Sequence, residues 1–225
     1  MDIGKSLGYM FDDERGVNKL LVGGLISLVP ILRWAATGYM LRTLKTVAAG
    51  AARPLPEWDD VVNDLVKGLL VTLAGMIYAL PLLVTFVPIG GLMLTSLLSG
   101  GSSSQALDTI NSILGLGTAG LWCLVVPYIL LLAAWMPAAT ANYALTGEFG
   151  AFFRIGEIWG LIRRNLGSYV IILLVVFAVN QVAGWVGGLI LFVGAAFTGF
   201  WANLVYGHLL GQFVGEDPST AAPTI

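Results

Sequence analysis

No lysine or arginine lies between Lys67 and Arg154, although that stretch holds two long apolar runs. Basic side chains mark the cytoplasmic ends of membrane segments, so this gap constrains the fold more than any motif does. The 11 basic residues fall into three groups: Lys5, Arg15 and Lys19; Arg33, Arg42, Lys45, Arg53 and Lys67; and Arg154, Arg163 and Arg164. Between the two runs sits a polar segment, Ser-Gly-Gly-Ser-Ser-Ser-Gln-Ala-Leu-Asp at 99–108, which is expected to face outward.

Composition names the solvent. Apolar residues are 57% of the 225, and the 29 glycines bring the apolar-plus-glycine share to roughly 70%, against about 45–50% in globular domains. Charged residues, at 11%, are under half the usual quarter, too few to cover a water-soluble particle of this size. Lipid is therefore the expected solvent. The same figures exclude a disordered chain, a disulfide scaffold (one Cys) and, at net charge −2, a basic nucleic-acid binder, so no nucleic-acid partner is expected.

The expected fold is all-α: a polytopic helical membrane protein of about six transmembrane helices arranged as three hairpins. Spans fall near 17–29, 31–49, 68–98, 110–145, 166–184 and 186–213, in one transmembrane domain over 1–214, followed by a disordered cytoplasmic tail at 215–225. The segment 17–49 reads as one span or as a hairpin broken at Pro30, and the hairpin is preferred because it keeps the first basic group inside. Its first arm is short against the roughly 20 residues of a straight span, which leaves partial insertion open. Both termini are then cytoplasmic in the inner membrane. The first fifteen residues are polar and acidic, unlike a cleavable signal peptide.

Each hairpin is preceded by an amphipathic stretch, near 3–14, 57–67 and 148–164. In the second, Trp58, Val61, Val62, Leu65, Val66 and Leu69 recur at helical spacing, opposite Asp60, Asn63, Asp64 and Lys67. Such helices are expected to lie in the headgroup plane, with Arg154, Arg163 and Arg164 touching anionic lipid. A weak internal repeat fits this plan. Gly pairs at Gly23-Gly24, Gly90-Gly91 and Gly187-Gly188 punctuate the hairpins, and Ala35-Ala-Thr-Gly-Tyr39 resembles Ala138-Ala-Thr-Ala-Asn-Tyr143.

The tokens Gly23-Gly24-Leu25, Pro30, Gly38-Tyr39, Leu55-Pro56-Glu57-Trp58-Asp59, Gly68 and Asn142-Tyr143 resemble an uncharacterised prokaryotic multi-pass membrane family, the domain-of-unknown-function family numbered four thousand and thirteen. The resemblance runs from about Phe11 to Phe213, and the Leu-Pro-Glu-Trp element is its most specific part. Members usually carry Asp-Pro after the early Phe, where this chain has Asp12-Asp13. The resemblance implies a multi-pass helical fold and supplies no activity.

Enzyme signatures are missing. With one His and one Cys there is no metal cluster, and neither a nucleophile elbow nor a P-loop occurs, so no catalytic residue, metal or cofactor is expected. Polar residues at membrane depth form the candidate intramembrane site: Arg33, Asn180, Gln181, Asn203 and His208. Arg33 reads either as snorkelling to the outer headgroups or as part of that site. Gly207, Gly211 and Gly215 recur every fourth residue and form the candidate helix-packing face.

The expected role is a non-catalytic scaffold or accessory subunit of a membrane assembly. Its expected partners are membrane lipids and either further copies of itself in a homo-oligomer or other membrane-protein subunits. The alternative is a small-solute or lipid transporter or channel, motivated by proline-interrupted spans.

Overall fold

A computed structural model describes residues 2–51, 53–99 and 105–216. Ser103 and the 217–225 part of the expected tail lie outside the described residues. Among the described residues the helices are α1 (Ile3–Gly8), α2 (Gly16–Leu28), α3 (Arg33–Ala48), α4 (Val61–Ala79), α5 (Phe86–Ser99), α6 (Gln105–Thr146), α7 (Ile155–Arg164), α8 (Leu166–Leu189) and α9 (Leu191–Gly215). Short 3-10 segments occur at Tyr9–Phe11, Leu80–Thr85 and Phe149–Phe153.

The chain divides into two compact units, Met1–Ala74 with Pro137–Ile225, and Gly75–Met136. In the first, α9 packs against α8, α3 and α2. Its C-terminal half is buried at Phe200, Leu204, Val205, Leu209, Leu210 and Val214. Glycine sets the spacing. A Cβ on Gly23 or Gly24 would fall 2.1 Å from the Phe200 ring or 2.2 Å from the Phe197 ring, so α2 is seated on the aromatic side chains of α9. The Gly207, Gly211 and Gly215 face lies along α3, where a Cβ would sit 2.9 Å from Met40 O, 2.7 Å from Leu44 O and 3.0 Å from Ala48 O. The backbones of α3 and α4 approach closely: a Cβ on Gly38 would meet Asp64 O at 1.9 Å, and one on Gly68 would meet Trp34 O at 1.8 Å. Only glycine permits backbones at that distance.

In the second unit the end of α4 is held to α6 through Tyr78, whose carbonyl accepts from Tyr128 Oη at 2.7 Å and whose hydroxyl accepts from Trp135 Nε1 at 3.1 Å. Pro81 cannot continue α4, and the chain passes through the 3-10 turn Leu80–Thr85 into α5. Thr95 Oγ1 donates to Asn111 Oδ1 at 2.6 Å, joining α5 to α6.

Among the described residues, three stretches are long and apolar enough to cross a membrane: Val61–Leu83, Asp108–Thr146 and Leu166–Leu189. The helices Gly16–Leu28 and Phe86–Leu97 are apolar but shorter. Although α9 has 25 residues, its polar Asn203, His208 and Gln212 lie on the half that is covered by protein, so it needs less hydropathy than a lipid-facing helix. The helices are thus compatible with a membrane protein.

The second amphipathic stretch departs from expectation. No separate surface helix forms at 57–67; residues 54–60 are non-helical, and the helix begins at Val61 and runs unbroken to Ala79. Pro54 and Pro56 offer no backbone N–H, Asp60 supplies the helix start by accepting from Asn63 N and Nδ2, and nothing between Val61 and Ala79 breaks the helix. Gly215, expected to open the tail, is the last residue of α9.

Candidate functional site

The Leu-Pro-Glu-Trp element is a strap across the ends of α2 and α3. Four consecutive strap carbonyls each accept from a side chain of those helices. Pro54 O takes Thr46 Oγ1, Leu55 O takes Lys19 Nζ at 3.0 Å, Pro56 O takes Tyr39 Oη at 2.6 Å, and Glu57 O takes Arg42 Nη2 at 2.8 Å. A proline-rich segment cannot satisfy these carbonyls by helix or sheet, so the donors must come from outside it. In return, Trp58 Nε1 donates to Lys19 O at 3.1 Å, and its ring stacks on Tyr39 with centroids 4.2 Å apart.

Two cations anchor the strap. Lys19 Nζ donates to Asp13 Oδ2 and Leu55 O and is ion-paired with Glu57 Oε1, each at 3.0 Å. Arg42 reaches Asp59 Oδ1 through Nη1 at 2.7 Å and Asp64 Oδ2 through Nη2 at 2.8 Å. Asp64 is fully buried, beneath the Gly38 contact. Burial alone would raise Asp13, but the Arg15 backbone N–H at 2.9 Å and the Lys19 ammonium outweigh it and hold the carboxyl below its ordinary value. Asp59, fully exposed, is lowered chiefly by the hydrogen bond from Arg42.

Two further segments dock in the same manner. From α1 and the turn after it, Ser6 Oγ lies 2.8 Å from His208 Nδ1, Tyr9 stacks on the His208 ring at 4.2 Å, and Tyr9 Oη donates to Leu204 O at 3.2 Å. Gln212 completes this contact: its Nε2 donates to Asp2 O at 3.2 Å and its Oε1 accepts from Asp2 N at 2.7 Å. At the other end of the chain, Asn142 Nδ2 on α6 donates to Ala151 O and to Glu157 Oε2, both at 3.0 Å, and Tyr143 stacks on Phe152 at 4.5 Å. Each segment therefore docks on a longer helix: the strap on α3, the Phe149–Phe153 turn on α6, and α1 on α9. The pattern closes on itself, because the first segment is held by the last helix.

The five polar residues read from the sequence as one site do not share a location. Arg33 is exposed at the first position of α3. Asn180 is exposed on α8 and donates to Val176 O, one turn back in its own helix. Gln181 lines a shallow 460 Å³ cleft with Gly184, Trp185, Gly188 and Leu189, all on α8. Asn203 is half-buried on α9. His208 belongs to the α1 contact and borders a separate 210 Å³ cleft that includes Lys5, Tyr9, Pro54 and Gln212. Of the three arginines assigned to lipid, Arg154 pairs with Glu148 and with Glu157. Arg163 lies 5.0 Å over the Trp159 ring, and Arg164 is exposed.

Sequence reasoning missed Ser6, Tyr9, Thr46 and Gln212 entirely, and treated Lys19, Tyr39 and Arg42 as topology markers or repeat tokens. The available signal was the Leu-Pro-Glu-Trp element, since two prolines in a polar loop leave carbonyls that buried donors must meet.

What the geometry defines is an all-helical protein whose long apolar helices fit a membrane, with Lys19 and Arg42 tied to a docked segment at the helix ends. The chain belongs to the family described as Protein of unknown function (DUF4013), whose sequence model matches residues 22–192. The matched region contains the strap, Gly38, Gly68 and Asn142-Tyr143, and excludes α1 and nearly all of α9. Searches of curated proteins and of solved structures returned no match.

Proposed function

We propose that the chain is a multi-pass protein of the cytoplasmic membrane that serves as a non-catalytic scaffold or accessory subunit. Its six membrane segments form three hairpins, with both termini and all three docked segments on the cytoplasmic side. The observation that carries this reading is the use made of the polar side chains. The Lys19 ammonium, both terminal nitrogens of Arg42 and Nδ1 of His208 are engaged in tying a segment to a helix, which is the work of a rigid frame and not of a solute path.

The free helix faces fit the same role. A Cβ at Gly184 or Gly188 would meet nothing, and Trp185 and Leu189 beside them are 77% and 85% exposed, leaving this part of α8 for lipid chains or the helix of a partner. The Gly207, Gly211 and Gly215 face is closed by α3, so association through it is not part of the proposal.

Purified protein reconstituted into sealed vesicles tests this function. The scaffold reading expects ion and small-solute permeability equal to that of protein-free vesicles. Saturable flux that disappears in Asn203→Ala would overturn it in favour of a transporter.

A further inference from the structure

Most amphipathic helices bury one apolar face and wet the other, but α7 is apolar on two sides. Ile158, Leu161 and Ile162 are buried against the protein, while Ile155 and Trp159 are 67% and 47% exposed. Water is a poor solvent for that second face. The basic groups next to it differ in their surroundings: Arg154 is paired with Glu148 and Glu157, whereas Arg163 holds its Cζ 5.0 Å over the exposed Trp159 ring; Arg164 follows it at the helix end.

Depth is fixed by the chain itself. Asn165 breaks the helix, its Oδ1 caps α8 by accepting from Ser168 N at 3.3 Å, and the apolar stretch Leu166–Leu189 starts at once. Arg163 and Arg164 are thus within three residues, about 10 Å of chain at most, of the first residue of a membrane-length helix. Tryptophan favours that same interfacial zone, and a guanidinium held over an indole keeps N–H groups for a planar or tetrahedral oxyanion.

We propose that the outward face of α7, formed by Ile155, Trp159 and Arg163 with Arg164 at its end, holds the phosphodiester headgroup of an anionic glycerophospholipid. The apolar side chains contact the glycerol and upper acyl region, and the guanidinium groups contact the phosphate. Arg154 takes no part, being neutralised by its two carboxylates. This inference rests on the membrane reading above.

The test is lipid retention by the full-length protein, delipidated in detergent and offered phosphatidylglycerol or phosphatidylcholine of identical chains. Bound lipid is counted per protein by mass spectrometry, and membrane insertion is checked separately by alkaline carbonate extraction. The expected result is preferential retention of phosphatidylglycerol, weakened about fivefold or more in Arg163→Gln/Arg164→Gln and unchanged in Arg154→Gln, with all three proteins equally heat-stable before lipid is added. Equal retention of the two lipids by the wild type, or an equal loss in Arg154→Gln, would overturn the site while leaving the membrane reading intact. Release of the wild type by carbonate would overturn both.

Discussion

Trp58 and Tyr39 stack with ring centroids 4.2 Å apart and 18° between their planes, and the Tyr39 hydroxyl donates at 2.6 Å to Pro56 O two residues before that same tryptophan. One tyrosine thus holds the strap by its face and by its edge. Both contacts depend on Tyr39 being buried beside Gly38, whose missing side chain lets α4 close over it. The Gly-Tyr token and the Leu-Pro-Glu-Trp token, far apart in the sequence, are two halves of one contact.

Replacing Lys19 tests how much the strap contributes to stability. Its side chain and that of Asp13 are 7% and 9% exposed, so Lys19→Met leaves a largely buried carboxylate without its partner. Breaking such a pair costs about 3–5 kcal/mol, to be read from denaturant unfolding in detergent. Adding Asp13→Asn should recover part of the loss. A Lys19→Met protein as stable as the wild type would show that the ammonium is not an anchor.

Acid should loosen the strap. The folded values of Asp13 and Asp59 lie below the ordinary carboxylate value. Their contribution is therefore fully present above the unfolded value, near 3.9, and is lost as pH falls through the folded values. The strap's share of the melting temperature should be constant from neutral pH to about 5 and fall below about 4. The fall should be shallower in Lys19→Met, because Asp13 is then no longer held down. A fall as steep in Lys19→Met as in the wild type would contradict the assignment.

Glycine substitutions should divide by location. Alanine at Gly38 or Gly68 drives a Cβ into a backbone carbonyl at 1.9 or 1.8 Å, and overpacking of this kind costs about 1–3 kcal/mol or more. Gly211→Leu should destabilise the fold similarly by pushing α9 off Leu44 and Val47. At Gly184, where an added Cβ meets nothing, alanine should be neutral or stabilising by up to about 1 kcal/mol through helix propensity. Thermal unfolding of the four variants reads this directly. Equal losses at Gly38 and Gly184 would remove the argument from close approach.

The helices were legible in the sequence because apolar runs and proline breaks are local signals. The break at Pro30 and the amphipathic α7 follow from residues within one turn of each other, whereas the boundary expected at 184–186 lies at Ile190, because α8 continues through Gly184, Gly187 and Gly188. The strap was legible only as a token. Its purpose depends on side chains brought in from α2 and α3, and no spacing rule says that Lys19 ends on Leu55 O or Thr46 on Pro54 O. The misplaced helix at 57–67 has the same origin: the periodicity of Trp58 to Leu69 is real, but Trp58 serves a stack on Tyr39 and the helix starts three residues later. The grouping of the dispersed polar residues has a different origin. Hydropathy marks a polar residue as unusual without saying which way it faces, and Asn180 turned out to be exposed and satisfied within its own helix.

Cysteine accessibility in intact cells tests the central claim most directly, namely that the docked segments share one cytoplasmic face of a membrane-embedded frame. In a background with Cys123 replaced by Ala, single cysteines at Asp60, Arg154 and Ser103 are exposed to a membrane-impermeant maleimide before and after permeabilisation. The account predicts labelling of Ser103→Cys in intact cells, and of Asp60→Cys and Arg154→Cys only after permeabilisation. Labelling of Asp60→Cys or Arg154→Cys from outside, or of Ser103→Cys only from within, would contradict it.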